Sequence, residues 1–272
     1  MNRLIALVCA GCALVAAPLR ATDLSPDLLA RMAAADVVIL GEVHDNPDHH
    51  RIQGDILTSL QPRAVVWEML TSVEARRIKA KLVHDPEKLE QVLEWAKSGW
   101  PAFSMYHQIF AAAPDARIYG GEVPREAAFT VIEAGPAVAF GADAARYGLT
   151  VPLPEAEQAD REALQLAAHC DAIPADRLAA MVGIQRLRDA VMAREVIAAM
   201  ADTGGPVAVI TGNGHARRDG GIPVYLDRVQ PGLRVFVLGQ SEAGGISGVF
   251  DAVLDSPAVP RDDPCAAFAG TN

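Results

Sequence analysis

The sequence predicts an α/β fold: a mostly parallel central sheet flanked by helices, with a helical subdomain inserted in the middle of the chain. Three observations predict it. Short runs rich in Val, Ile and Ala, each closed by Gly or a turn, read as buried strands at residues 37–40, 64–67, 117–119, 207–211, 234–238 and 248–254. Strand, loop, helix and strand follow one another between residues 37 and 67, and that order implies parallel pairing through a crossover helix. Residues 72–112 and 155–201 carry long helical periodicity with few strand signals.

Taken in order, residues 1–21 come first and read as a secretory signal peptide. Asn2 and Arg3 precede an apolar run, residues 4–15, and the segment ends at Arg20-Ala21 without an acidic residue. The run is too short for a permanent membrane span. Cleavage after Ala21 is the first choice, and the alternative is a lipidated Cys12, although Cys9 stands where an aliphatic residue belongs. Residues 22–272 then form the α/β domain. After the first strand, Asn46-Pro47 makes an N-cap and first helical residue, and Ile52, Ile56, Leu57 and Leu60 recur on one helical face. In the long helix at 176–201, Ile184, Leu187, Val191 and Ala198 form an apolar stripe. Met181, Gln185, Arg188, Asp189 and Met192 share the neighbouring face, which is either a partly solvated flank or the wall of a ligand pocket. The Pro-rich segments 151–154 and 256–264 read as connections.

Composition excludes several classes. With 51% hydrophobic and 21% charged residues, the chain is neither disordered nor fibrous. Loss of residues 1–21 removes two arginines and no acid, which leaves 22 basic against 34 acidic residues and a net charge of −12. That field excludes nucleic acid as a partner. Two of the four cysteines lie in the leader, so Cys170 and Cys265 remain as an even pair that is expected to form a disulfide after export.

Four strands run into polar clusters at their carboxyl ends, where an open parallel sheet forms its ligand crevice. These are Gly41-Glu42-Val43-His44-Asp45, Glu68, Gly120-Gly121-Glu122 and Gly212-Asn213-Gly214-His215. A single Glu or His after a strand means little. Two copies of Gly-x-x-His, with glutamates after two further strands, point to a site in which Glu42, His44, Glu68, Glu122 and His215 converge. Imidazoles paired with carboxylates bind a divalent cation, for which His44, His215 and Glu68 are the candidate ligands, or perform acid–base work on a substrate. Gly212 and Gly214 would let backbone N–H groups approach an anion, and Arg217 and Arg218 would add charge. His49 and His50, with His44, place three imidazoles within seven residues.

The decapeptide Gly41-Glu42-Val43-His44-Asp45-Asn46-Pro47-Asp48-His49-His50 is specific. With Glu68, Gly99-Trp100-Pro101 through Tyr106, Gln185-x-x-Arg188-Asp189-Ala190-x-Met192-Ala193 and Thr211-Gly212-Asn213-Gly214-His215-Ala216-Arg217, it closely resembles the ChaN family of haem-binding uptake proteins. That family shares a superfamily with the Tiki metalloproteases and the erythromycin esterases. The resemblance implies an exported, often lipid-anchored bacterial protein of the periplasm or envelope that binds haem in iron acquisition. It also implies a homodimer with haems stacked face to face, a tyrosine of one subunit on the iron and a histidine of the other on the propionates.

Tyr106 is the first candidate for that tyrosine among Tyr106, Tyr119, Tyr147 and Tyr225, since it lies in the matching segment. Met105, Met181 and Met192 would give a soft apolar wall, and His44, His49, His50, Gln185, Arg188, His215 and Arg217 would complete the haem site. An anionic ligand needs such a local cluster, because the net charge repels it. An outer-membrane haem receptor is the expected donor. The alternative is a metal-dependent hydrolase using Glu42, His44, Glu68, Glu122 and His215, since hydrolytic relatives share those elements.

Overall fold

The computed structural model describes residues 24–267, so the expected leader at 1–21 and the Cys12 lipid site lie outside the described residues. The chain begins with α1 (Pro26–Ala33), β1 (Val37–Glu42), α2 (Pro47–Leu60) and β2 (Ala64–Trp67). Short 3₁₀ turns then separate α3 (Ser72–Arg77), α4 (Pro86–Val92) and α5 (Phe103–Ala112) before β3 (Arg117–Gly120). Helices α6 (Arg125–Ala134), α7 (Pro136–Phe140), α8 (Glu155–Ala168) and α9 (Ala175–Thr203) lead into β4 (Val207–Gly212). The rest comprises α10 (Asn213–Ala216), α11 (Ile222–Val229), β5 (Val235–Glu242) and β6 (Ala252–Ser256).

Six strands form one sheet in the order β3-β2-β4-β1-β5-β6, and every pair is parallel. The predicted fold class is the observed one. From β1 the chain steps outward to β2 and β3, returns along α9, inserts β4 between β2 and β1, and crosses to β5 on the other side. Such a reversal opens a crevice at the strand carboxyl ends, here those of β1 and β4.

Alternation along the strands builds two cores. Val38, Leu40, Val65, Trp67, Ala208 and Ile210 pack with α2 and α5, where Trp67 stacks on Phe110 at 3.9 Å. Val37, Ile39, Ala64, Val66, Val207 and Val209 pack on the opposite face against α9 and α11. Near-continuous Val, Ile and Leu is what a sheet covered on both faces requires.

The last two strands sit later in the chain than the sequence predicts. Residues 239–242 extend β5 because Gly239 to Glu242 pair with Val253 to Ser256, so β6 begins only at Ala252. Cys170, in the turn after α8, is bonded to Cys265 as expected, with Cα atoms 5.4 Å apart. This ties the α8–α9 connection to the C-terminal segment, which Arg261 also pins through ion pairs to Asp45 and Glu242 at 2.6 Å each. No helix of the described residues is long and apolar enough to cross a membrane.

Candidate functional site

The carboxyl ends of β1, β2 and β4 bring Glu42, His44, Glu68 and His215 together. Glu42, the last residue of β1, is fully buried and accepts from the His44 Nδ1–H at 2.8 Å, Gln53 Nε2 at 2.8 Å and the Tyr106 hydroxyl at 3.1 Å. Asp189 on α9 plays the same part for His215, whose Nδ1 lies 2.7 Å from its Oδ1. Each carboxylate fixes its imidazole and leaves Nε2 turned inward. Both Nε2 atoms converge on Glu68 Oε1, at 3.9 Å from His44 and 3.4 Å from His215.

The other Glu68 oxygen accepts from the Gly212 N–H and the Thr211 hydroxyl, both at 2.7 Å. The anion that Gly212 approaches is therefore the protein's own carboxylate. Glycine is required there, because a Cβ at Gly212 would sit 2.9 Å from His44 Nε2, and one at Gly41 would sit 2.4 Å from Asn213 Oδ1. Each Gly-x-x-His element thus makes room for a side chain of the other.

Charge follows from this geometry. Burial opposes protonation of His44, but the Glu42 hydrogen bond and the charges of Glu68, Glu42 and Asp45 outweigh it and hold its pKa up at about 9. Burial would raise Glu68, yet His215, His44 and the two donors bring it down to about 2. His215 is raised against its burial by Glu68 and Asp189. The cluster is a buried, alternating chain of carboxylates and imidazoles that can hold and relay protons.

Around it the surface opens into a mouth. The His44 side chain is 32% exposed, and its ring lies 4.9 Å from that of the half-buried Trp100. Glu122 lies at the edge, its pKa pushed up to about 7 by burial and Glu74 while Arg188 opposes the shift. Arg188 is exposed, approaches Gln185 Oε1 at 3.5 Å and forms no ion pair among the described residues. Behind His215, a cavity of about 450 Å³ lies between α8, α9, α10 and the loop that follows α10, lined by Leu164, Val182, Gln185, Asp189, His215 and Arg217.

The family model described as "Haem-binding uptake, Tiki superfamily, ChaN" matches residues 28–226. The chain belongs to this family. A solved structure reported as "Cofacial heme binding to ChaN of Campylobacter jejuni" is similar, with a TM-score of 0.63 and 22% identity over 81% of this chain and 87% of that one. The likeness establishes the ChaN fold. The type III effector HopBA1 is more distant, with a TM-score of 0.45 and 15% identity over 85% of this chain and 91% of that one. No curated protein matches the sequence.

Several residues expected in the ChaN site lie elsewhere. Tyr106 is 0% exposed, donates to Glu42 and the His44 carbonyl, and is pushed far above the usual phenol range by burial and by Glu42. It is a buried prop for the cluster, not an open iron ligand. His49 and His50 are also fully buried. His49 accepts from the Val43 N–H at 2.9 Å and donates to the Ser241 carbonyl at 3.2 Å, while His50 donates to the His44 carbonyl at 2.8 Å. Both hold the β1–α2 turn in place of a ligand.

Met192 is core, packed on Gly121 and under Thr211. Met181 and Met105 are partly buried against the two cores. Arg217 lines the cavity but is paired with Asp219, at 2.7 Å through Nε. His44, His215 and Glu68 do meet, yet no group of three His, Cys, Asp or Glu side chains among the described residues is placed to hold a metal ion. Glu122 stands apart from that trio at the mouth. Asp189, Thr211, Gln53 and Trp100 are the site residues to which the sequence assigned no role. Asp189, Trp100 and Thr211 lay inside quoted motifs, whereas nothing in one dimension marked Gln53.

Proposed function

We propose that this protein binds haem at the mouth over the β1 and β4 carboxyl ends and serves haem or iron uptake in the bacterial envelope. Family membership supports the ligand. The observation that carries the location is the His44 and Trp100 ring pair, 4.9 Å apart, with the exposed Arg188 guanidinium acting on Glu122 and His215 beside it while forming no ion pair among the described residues. Flat rings suit the porphyrin face, and an exposed guanidinium suits a propionate. The cavity behind His215 suits it less well, since its arginines are already paired: Arg161 with Glu157 at 2.6 Å and Arg217 with Asp219.

Export through the leader is supported by the Cys170–Cys265 disulfide, a bond that persists in oxidising compartments. A homodimer closing over the exposed mouth, receiving haem from an outer-membrane receptor, completes the proposal. The hydrolase reading has the carboxylate-backed His44 and His215 in its favour and lacks a placed metal site among the described residues.

Titration of the mature protein with hemin is expected to give a saturable Soret shift. Replacing Arg188 with Glu should weaken binding about tenfold, the loss of roughly one charged contact. A Soret band that never saturates, with stoichiometric metal retained by wild type and lost in His44→Ala, would overturn haem in favour of the hydrolase.

A further inference from the structure

We infer that the Cys170–Cys265 bond is a thiol-exchange site whose reduction releases helix α8 from the cavity beneath it and opens the His215–Asp189 pair to solvent. The inference does not depend on which ligand the mouth takes, because the cavity lies behind His215.

Helix α8 lies over the body of the protein without packing into it. None of its residues is buried, and it contributes nothing to either core. Glu157, Arg161, Leu164 and Ala168 recur at spacings of four, three and four, and that face lines the cavity of about 450 Å³. Asp189 and His215, whose side chains are only 3% and 7% exposed, line the same space. Beyond Arg161 Nη1, which donates to the Gly220 carbonyl at 3.2 Å, no side-chain hydrogen bond joins α8 to another element among the described residues. A helix that buries so little has low local stability and depends on its tethers.

Those tethers are at its ends. Arg186 fixes the chain before α8 by donating to the Gly148 and Val151 carbonyls at 2.9 and 3.0 Å, and α8 follows after Pro152 and Pro154. At the other end Cys170 and Asp171 both take left-handed backbone, with φ of 57° and 56°, which non-glycine residues adopt at a cost. The disulfide holds that turn to the C-terminal segment, which Arg261 anchors to Asp45 and Glu242. Cys265 is exposed and Cys170 half-buried, so an incoming thiolate meets Cys265 first.

An external dithiol supplies both electrons. Its thiolate attacks Cys265, forming a mixed disulfide and expelling Cys170 as a thiolate that takes up a proton. The reagent's second thiol, losing its proton, then attacks the reagent's own bound sulfur; the reagent leaves as a disulfide, and Cys265 departs as a thiolate that is protonated in turn. With the tether cut, the left-handed turn is free to relax and α8 swings about residues 152–154.

The test treats the mature protein with dithiothreitol in the absence of denaturant and follows hydrogen exchange by mass spectrometry. Exchange in residues 155–171 is expected to rise about tenfold or more while that of β1, β2 and β4 stays unchanged. The double variant Cys170→Ser/Cys265→Ser should reproduce this without reductant. Its His215 should react with diethylpyrocarbonate about tenfold faster than in oxidised wild type, read from the modified peptide. A disulfide that resists dithiothreitol until the chain unfolds overturns the inference. So does an α8 whose exchange is unchanged by reduction, or a His215 that reacts no faster. Exchange that rises in the strands as much as in α8 overturns it too, since the bond would then brace the whole fold.

Discussion

Tyr106 shows how a side chain can carry a motif's signature and still serve another purpose. Its hydroxyl reaches a carboxylate that already holds His44 and Gln53, so it helps keep Glu42 aimed at His44. Tyr106→Phe removes one hydrogen bond to a charged acceptor and keeps the ring that packs at 4.3 Å on His50. Stability to urea should fall by about 1–2 kcal/mol. Hemin affinity should not change, and a loss of about tenfold or more would restore the phenol as a ligand. Asp189 is the converse case. It lies 26 residues before His215, on another element, and only the fold makes them partners. Glu42, His44, Glu68 and His215 were legible because each lies at or just past the carboxyl end of a strand. Asp189 was not, because a helical position reveals its neighbour only once the crossing of helix and sheet is known.

At the scale of elements, the Asn46 cap joins local structure to the distant C-terminal segment. Its Oδ1 accepts from the Asp48 N–H at 2.9 Å, while its Nδ2 donates to Glu242 Oε1 at 2.7 Å and to the Pro257 carbonyl at 3.1 Å. Asn46→Ala should cost about 2–3 kcal/mol in denaturant unfolding, a cap plus two long-range hydrogen bonds. Asn46→Asp keeps the cap but sets a carboxylate against Glu242. It should therefore be worse than Ala at neutral pH and recover in acid; equal behaviour at both pH values would show that only the cap matters. The Asn-Pro start of α2 was plain from sequence because capping is local. The break-up of residues 72–112 into three helices was not. It depends on Pro86 and on a left-handed Glu94, whose φ of 49° is not encoded by residue type. Nor does any one-dimensional pattern place β4 between β2 and β1.

For the whole molecule, the Cys170–Cys265 bond spans a sequence separation of 95 residues. Constraint of so long a loop in the unfolded chain predicts about 4–5 kcal/mol, and reduction should lower the urea midpoint accordingly without dispersing the sheet, whose strands it does not touch. The clustered charges set the pH dependence. His44 is raised from 6.5 to about 9, so its contribution is complete below about 6.5 and is lost as pH rises through 9. Glu68 is lowered from 4.5 to about 2, so its contribution is complete above about 4.5 and disappears as pH falls through 2. Glu122 is raised from 4.5 to about 7, so its ionisation costs stability progressively between those values. Stability by urea unfolding should therefore peak near pH 4.5–6 and decline toward pH 9. Glu122→Gln removes the middle slope alone. It should match wild type at pH 4 and exceed it at pH 8, where wild type must keep a half-buried carboxylate charged beside Glu74. A variant no more stable than wild type at pH 8 would mean that Arg188 already neutralises Glu122, leaving that guanidinium less free to meet a propionate.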